Sequence, residues 1–163
     1  MKKKLISILL MAAVAAGSLA GCGKSTDQGS GTTNTEGKVI NIYCWNNEFR
    51  ERVEAVYPEV KETSADGTVT TLKDGTEIHW IINPNQDGVY QQKLDEALLN
   101  QASAADDDKI DIFLSETDYV NKYTDADADV AMPLVDLGIN PDTDLADQYS
   151  FTKVTASDAN GVQ

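Results

Sequence analysis

The chain has 163 residues, 41% of them hydrophobic, which is enough to build one domain around one core and too few for two. With 27 acidic against 13 basic residues, the net charge of −14 argues against nucleic acid, whose phosphates require basic patches, and against electrostatic docking on anionic lipid. Only two cysteines are present, Cys22 and Cys44, so no disulfide framework holds the fold; Cys44 sits in an apolar run and is expected as a buried free thiol.

Residues 1–21 read as an export signal. Lys2-Lys3-Lys4 forms a positive start, and Leu5 to Ala16 is an apolar stretch too short to span a bilayer core of about 30 Å. Leu19-Ala20-Gly21-Cys22 then resembles a bacterial lipobox, in which the signal is cut before the cysteine and the thiol of Cys22 carries a diacylglycerol. Acyl chains contribute about 0.8 kcal/mol per buried methylene, so a multiply acylated terminus would anchor the chain on the outer face of the cell membrane. Residues 22–37 add only Gly, Ser, Thr and other polar residues after Cys22; such a segment cannot bury surface to offset its ordering entropy and is expected to be a flexible tether. The folded part is expected over residues 38–163.

Val39 to Trp45 has the β-branched, apolar character of a covered strand. Asn46 follows as a candidate N-cap, and Phe49, Val53, Val56 and Tyr57 mark one face of the next helix, which Pro58 closes. Between Glu59 and Thr76 the chain is polar, with Val69–Leu72 predicted to pair with the next strand through a turn at Asp74-Gly75. The second strand is expected over Glu77–Ile82, and the loop Asn83-Pro84-Asn85-Gln86-Asp87-Gly88 leads to a second helix over Val89–Ala102, with Asp87 as its cap. The stripe of that helix is read as Tyr90, Leu94, Ala97, Leu98 and Gln101, widened by Leu99. Ile110–Leu114 is the third strand, and a short helix is expected over Asp118–Tyr123. Thereafter the pattern is less regular, with Leu145, Tyr149 and Phe151 as expected anchors. No final helix or strand can be read at Gln163, and the sequence is expected to be part of a longer protein.

The order β-α-β-α-β with near-continuous apolar strands predicts an α/β fold, a mainly parallel sheet with helices on both faces. In such sheets ligands bind beyond the carboxyl ends of the strands. Those ends are Trp45-Asn46-Asn47, Asn83 to Asp87 and Ser115-Glu116-Thr117-Asp118-Tyr119. Amides and carboxylates match sugar hydroxyls, and aromatic rings stack on sugar C–H faces, so the combination suits a carbohydrate. Each group also has a structural reading: Asn46, Asn47 or Asp118 as a helix cap, Trp45 as core. No phosphate-cradling Gly-rich loop follows the first strand. Asp125, Asp127, Asp129 and Asp136 fall near calcium-loop spacing, but Val130 stands where that loop needs Gly. His79 is the only histidine and has no partner at metal or triad spacing, so a hydrogen-bonded strand residue is expected. No metal and no cofactor is implied. Carboxylate pairs are abundant, which keeps a glycosidase-like surface enzyme as the alternative, with a calcium-binding surface lipoprotein as a further one.

The lipobox, the tether, Val39-Ile-Asn-Ile-Tyr-Cys-Trp-Asn-Asn47, Tyr90-Gln-Gln-Lys-Leu-Asp-Glu-Ala-Leu98, Ile110-Asp-Ile-Phe-Leu-Ser-Glu-Thr-Asp-Tyr119 and Pro133-Leu-Val-Asp-Leu-Gly138 together resemble the family 1 extracellular solute-binding lipoproteins. That family serves ABC-type carbohydrate importers of Gram-positive bacteria. The resemblance implies a non-enzymatic protein with a two-lobe, periplasmic-binding-protein-like (type II) fold that closes on a sugar or oligosaccharide and presents it to the permease transmembrane subunits. This chain would be a partial N-terminal lobe, since family members run much longer. By position, Trp45, Asn46, Glu116 and Asp118 would contact ligand first, and Tyr119 and Asn85 second.

Overall fold

The computed structural model describes residues 38–163. The export signal at 1–21, the lipidation site Cys22 and the tether lie outside the described residues.

Five strands form one mixed sheet: β1 (Val39–Cys44), β2 (Val60–Thr63), β3 (Val69–Leu72), β4 (Glu77–Ile82) and β5 (Ile112–Phe113), in the order β2-β3-β4-β1-β5. β1 is central to a parallel half, flanked by β4 (Val39 opposite Glu77 through Cys44 opposite Ile82) and by β5 (Ile42 opposite Ile112). The other half is antiparallel, β2 with β3 and β3 with β4. The expected mainly parallel sheet is therefore corrected to a mixed one. The predicted hairpin forms, with Gly75 N–H donating to Leu72 O at the turn and Thr76 N–H to Asp74 Oδ1. β2 escapes the sequence pattern because Val60-Lys-Glu-Thr63 has a single apolar residue. It is an exposed edge strand, and charges there discourage pairing with other chains.

Alternation along β1 divides its side chains between two cores. Ile40, Ile42 and Cys44 face helix α1 (Glu48–Val56) in a cluster with Leu72, Ile78 and Trp80. Tyr43 and Trp45 face helix α2 (Val89–Asn100) and helix α3 (Thr117–Thr124), around buried Tyr90, Leu94, Ile110 and Tyr123. Helices thus cover both faces of the sheet. Cys44 is fully buried and unbridged, and burial pushes its thiol up. Asn41, also buried, satisfies its amide on Asp107 O (2.7 Å) and Lys109 O (2.8 Å). Its backbone N–H donates to Asp111 Oδ2 at 2.8 Å, so a carboxylate takes the place of a ladder partner and β5 is shorter than the expected Ile110–Leu114.

The buried face of α1 differs from the expected one. Val56 and Tyr57 are exposed, and the inward residues are Phe49, Arg50, Val53 and Glu54. The rotation follows from polar partners on the hairpin. Arg50 Nη1 donates to Gly67 O at 2.6 Å, while Thr63 and Thr70 donate to Glu54 Oε1 at 2.8 and 2.7 Å. Gly67 has φ +70°, and a Cβ there would lie 1.9 Å from Arg50 Nη1. Gly67→Ala should therefore cost about 2–3 kcal/mol, from left-handed backbone strain plus the lost guanidinium bond. Gly75→Ala, at φ +88° with its nearest neighbour 3.9 Å away, carries the strain alone, about 1 kcal/mol. Denaturant melts of both variants check this; equal losses would refute a role for the Arg50 contact.

In α2, Leu99 points to solvent and Gln91 is buried in its place. Gln101 is held as expected, pairing both its amide atoms with the backbone of Ile110. Asp87 does not cap the helix: Gly88 is the N-cap, and Asp87 and Gly88 take φ +52° and +74°, which turn the chain too sharply for a side-chain cap. α3 begins one residue early, with Glu116 at its N-cap, so Asp118 is in the first turn rather than capping. Beyond it come α4 (Pro141–Asp144) and α5 (Ser150–Thr155). Tyr149 and Phe151 are not anchors; both are exposed and stack on each other, with centroids 5.7 Å apart. Among the described residues, no helix is long and apolar enough to cross a membrane.

Candidate functional site

Because β4, β1 and β5 are parallel neighbours, their carboxyl ends open on one edge of the sheet. The chain leaves β1 for β4 on one side and returns to β5 on the other, so β1 borders a topological switch point, where open α/β sheets form a crevice. The sequence-predicted strand ends are brought to that edge together. Asn83 N–H donates to Cys44 O at 2.9 Å and Leu114 N–H to Tyr43 O at 3.0 Å, which ties the β4 and β5 exits to that of β1. Tyr90 adds a clamp from α2. Its hydroxyl donates to Leu114 O at 2.6 Å and reaches Tyr43 O at 3.2 Å, and burial pushes the phenol far up, keeping it a neutral donor.

Trp45 is half-buried, with its ring edge-on to Tyr90 at 5.3 Å and packed into the α2-side core. It supports the floor of the edge more than it offers an open face. Asn46 is exposed, and its Oδ1 accepts from Glu48 N–H at 2.9 Å, which settles the start of α1. Asn47 takes the N-cap position without a side-chain cap bond. Asn85 is exposed on the β4–α2 loop and accepts from Gln91 Nε2 at 3.1 Å. Glu116 and Asp118 are exposed with their carboxylates at the start of α3, where the helix dipole favours negative charge. Tyr119 stands beside them, 39% exposed.

Two clefts flank α3. One of about 480 Å³ lies between the end of α3 and the C-terminal turn and is lined by Asn121, Asp125, Asp127, Asp158 and Asn160 among others. A smaller one of about 190 Å³ lies between Ser115, Thr117 and Val120 and the Phe151 side of α5. Neither is lined by Trp45, Asn46, Asn85, Glu116, Asp118 or Tyr119, which occupy the open rim. The smaller cleft shares the β5–α3 turn with that rim; the sequence pattern marks Thr117 only as part of a strand end and Phe151 only as an anchor.

The remaining constellations are structural where the geometry resolves them. His79 sits on β4 with Nε2 3.0 Å from Glu77 Oε2. Asp125 Oδ1 accepts from Asp127 N–H in a local turn, and Asp129 has φ +50°. Among the described residues no group of three or more His, Cys, Asp or Glu is arranged to hold a metal ion. Tyr123 donates to Asp95 Oδ1 at 3.1 Å; burial, with that bond and the nearby charge, pushes its phenol up to about 12. Lys122 pairs with the same carboxylate, so α3 is fixed on α2 from below the rim. Compared with protein-family models, curated proteins and solved structures, the chain matches none.

Proposed function

We propose that this chain is the sugar-capturing lipoprotein of an ABC-type importer, held on the outer face of the membrane through Cys22 and representing part of the first lobe of a two-lobe binding protein. The observation that carries the reading is the shared edge: three strand ends at a switch point, presenting amides, carboxylates and the exposed ring of Tyr119, which suit a polyhydroxylated ligand. The motif resemblance supplies the importer and its permease subunits as partners. Sugar would be bound by hydrogen bonds from the rim, with a second lobe closing over it as hinged binding proteins do. No catalytic step is assigned.

The test is titration of the full chain with neutral monosaccharides (glucose, galactose, xylose, arabinose) and their di- and trisaccharides, read by thermal shift and tryptophan fluorescence. Saturable binding without turnover is the expected result. Release of new reducing ends would replace this reading with a glycosidase, and stabilisation by calcium alone would replace it with a calcium-binding lipoprotein.

A further inference from the structure

Gln91 is the one buried amide on α2 whose chemistry the fold does not explain. It is only 9% exposed, and its Oε1 has no hydrogen-bond partner. A buried acceptor left unpaired costs stability, and an apolar side chain of the same shape would avoid that cost. The single polar bond it makes is from Nε2 to Asn85 Oδ1, 3.1 Å away on the exposed loop at the carboxyl end of β4. The reverse orientation of the two amides would bury both Gln91 N–H donors unpaired, which is worse than one orphaned carbonyl.

We infer that Gln91 is a positioning residue for the sugar site: by occupying Asn85 Oδ1, it turns Asn85 Nδ2 outward as a fixed donor to an acceptor oxygen of the ligand. A carboxamide is planar, so when its oxygen is held against the helix its NH₂ faces away from it. Without Gln91, Asn85 could rotate and offer either group, and the loop would read donor and acceptor alike. The backbone beside it is set by φ +52° at Asp87 and +74° at Gly88, which aim the loop back over the first turn of α2, where Gln91 lies. This inference rests on the reading of the strand-end edge as a sugar site.

The experiment uses the full chain and whichever sugar of the panel above gives the strongest thermal shift. Gln91→Leu should weaken binding about tenfold, the worth of one oriented hydrogen bond, while the melting temperature stays level or rises. Asn85→Ala should lose as much, and the double variant no more than either single one. Asn85→Asp, on the exposed loop and safe for folding, keeps the oxygen facing Gln91 and replaces the outward donor by an acceptor; it should bind as poorly as Asn85→Ala. Wild-type affinity in Gln91→Leu or in Asn85→Asp, additive losses in the double variant, or a Gln91→Leu protein that melts lower would each overturn the inference. A wild-type chain that binds no sugar of the panel would overturn the sugar reading itself, and this inference with it.

Discussion

Leu94→Ala is expected to lower the unfolding free energy by about 3–5 kcal/mol, the range for a fully buried leucine whose surroundings cannot collapse. Leu94 has no exposed surface and lies among buried Tyr90, Ile110 and Tyr123, with Tyr43, Ala97, Leu98 and Phe113 packed around. Several of these neighbours are fixed by bonds of their own: Tyr90 to Leu114 O, Tyr123 to Asp95 and the Ile110 backbone to Gln101. They cannot move in to fill the space, so the cavity term stays in full. A domain stable by about 5–15 kcal/mol loses a large share of its margin from such a change. Leu99→Ala is the control: five residues on and 85% exposed, it should change stability by less than about 0.5 kcal/mol. Urea melts with an unchanged slope measure both. Equal effects would mean that α2 is not seated as described.

The contrast between Leu94 and Leu99 also marks where the sequence stops being legible. Hydrophobic period placed β1, β4 and α2, because those segments carry enough apolar residues to select one geometry. Asp74-Gly75 placed the hairpin, because its turn chemistry is local. What the period could not give was the choice among apolar residues on neighbouring faces. Leu99 would have widened the stripe on α2, yet the side beside Tyr90 is filled by Gln91. On α1 the same failure has a clear cause: Arg50 and Glu54 look like solvent-facing charges until Gly67, Thr63 and Thr70 are brought opposite them by β2 and β3. β2 was illegible for a related reason, since an edge strand needs no apolar face. At the strand ends the composition led to the edge but not to the task of each residue. A tryptophan just past a strand reads alike whether its ring is open or, as here, set against Tyr90.

The polar partners of α1 carry the second large effect. Thr70→Val should destabilise the chain by about 2–4 kcal/mol although it barely changes side-chain volume. Thr70 is completely buried, and its hydroxyl is the middle of a relay: it accepts from Trp80 Nε1 at 2.8 Å and donates to Glu54 Oε1 at 2.7 Å. Valine would strand the indole N–H of Trp80, itself 3% exposed, at a cost of about 1–3 kcal/mol. It would also take one of two hydroxyl donors from the half-buried Glu54 carboxylate, which keeps Thr63 and some access to water, so this loss adds only about 1 kcal/mol. Thr71→Val, one residue on and half-buried, makes no such relay and should stay within about 0.5 kcal/mol of the parent. Trp80→Phe isolates the indole part of the effect. Once the N–H is gone, Thr70→Val should cost about 1–2 kcal/mol less than it does beside tryptophan, a coupling that a double-mutant cycle reads directly. Strict additivity would mean that the Thr70 hydroxyl and the Trp80 indole do not act together. Coupling would show that β3 and β4 are joined through this bond. The part of the Thr70→Val loss that survives beside phenylalanine is the share of the Glu54 bond, which ties β3 to α1 and so fixes the face of α1 and the Asn46-Asn47 end of the rim.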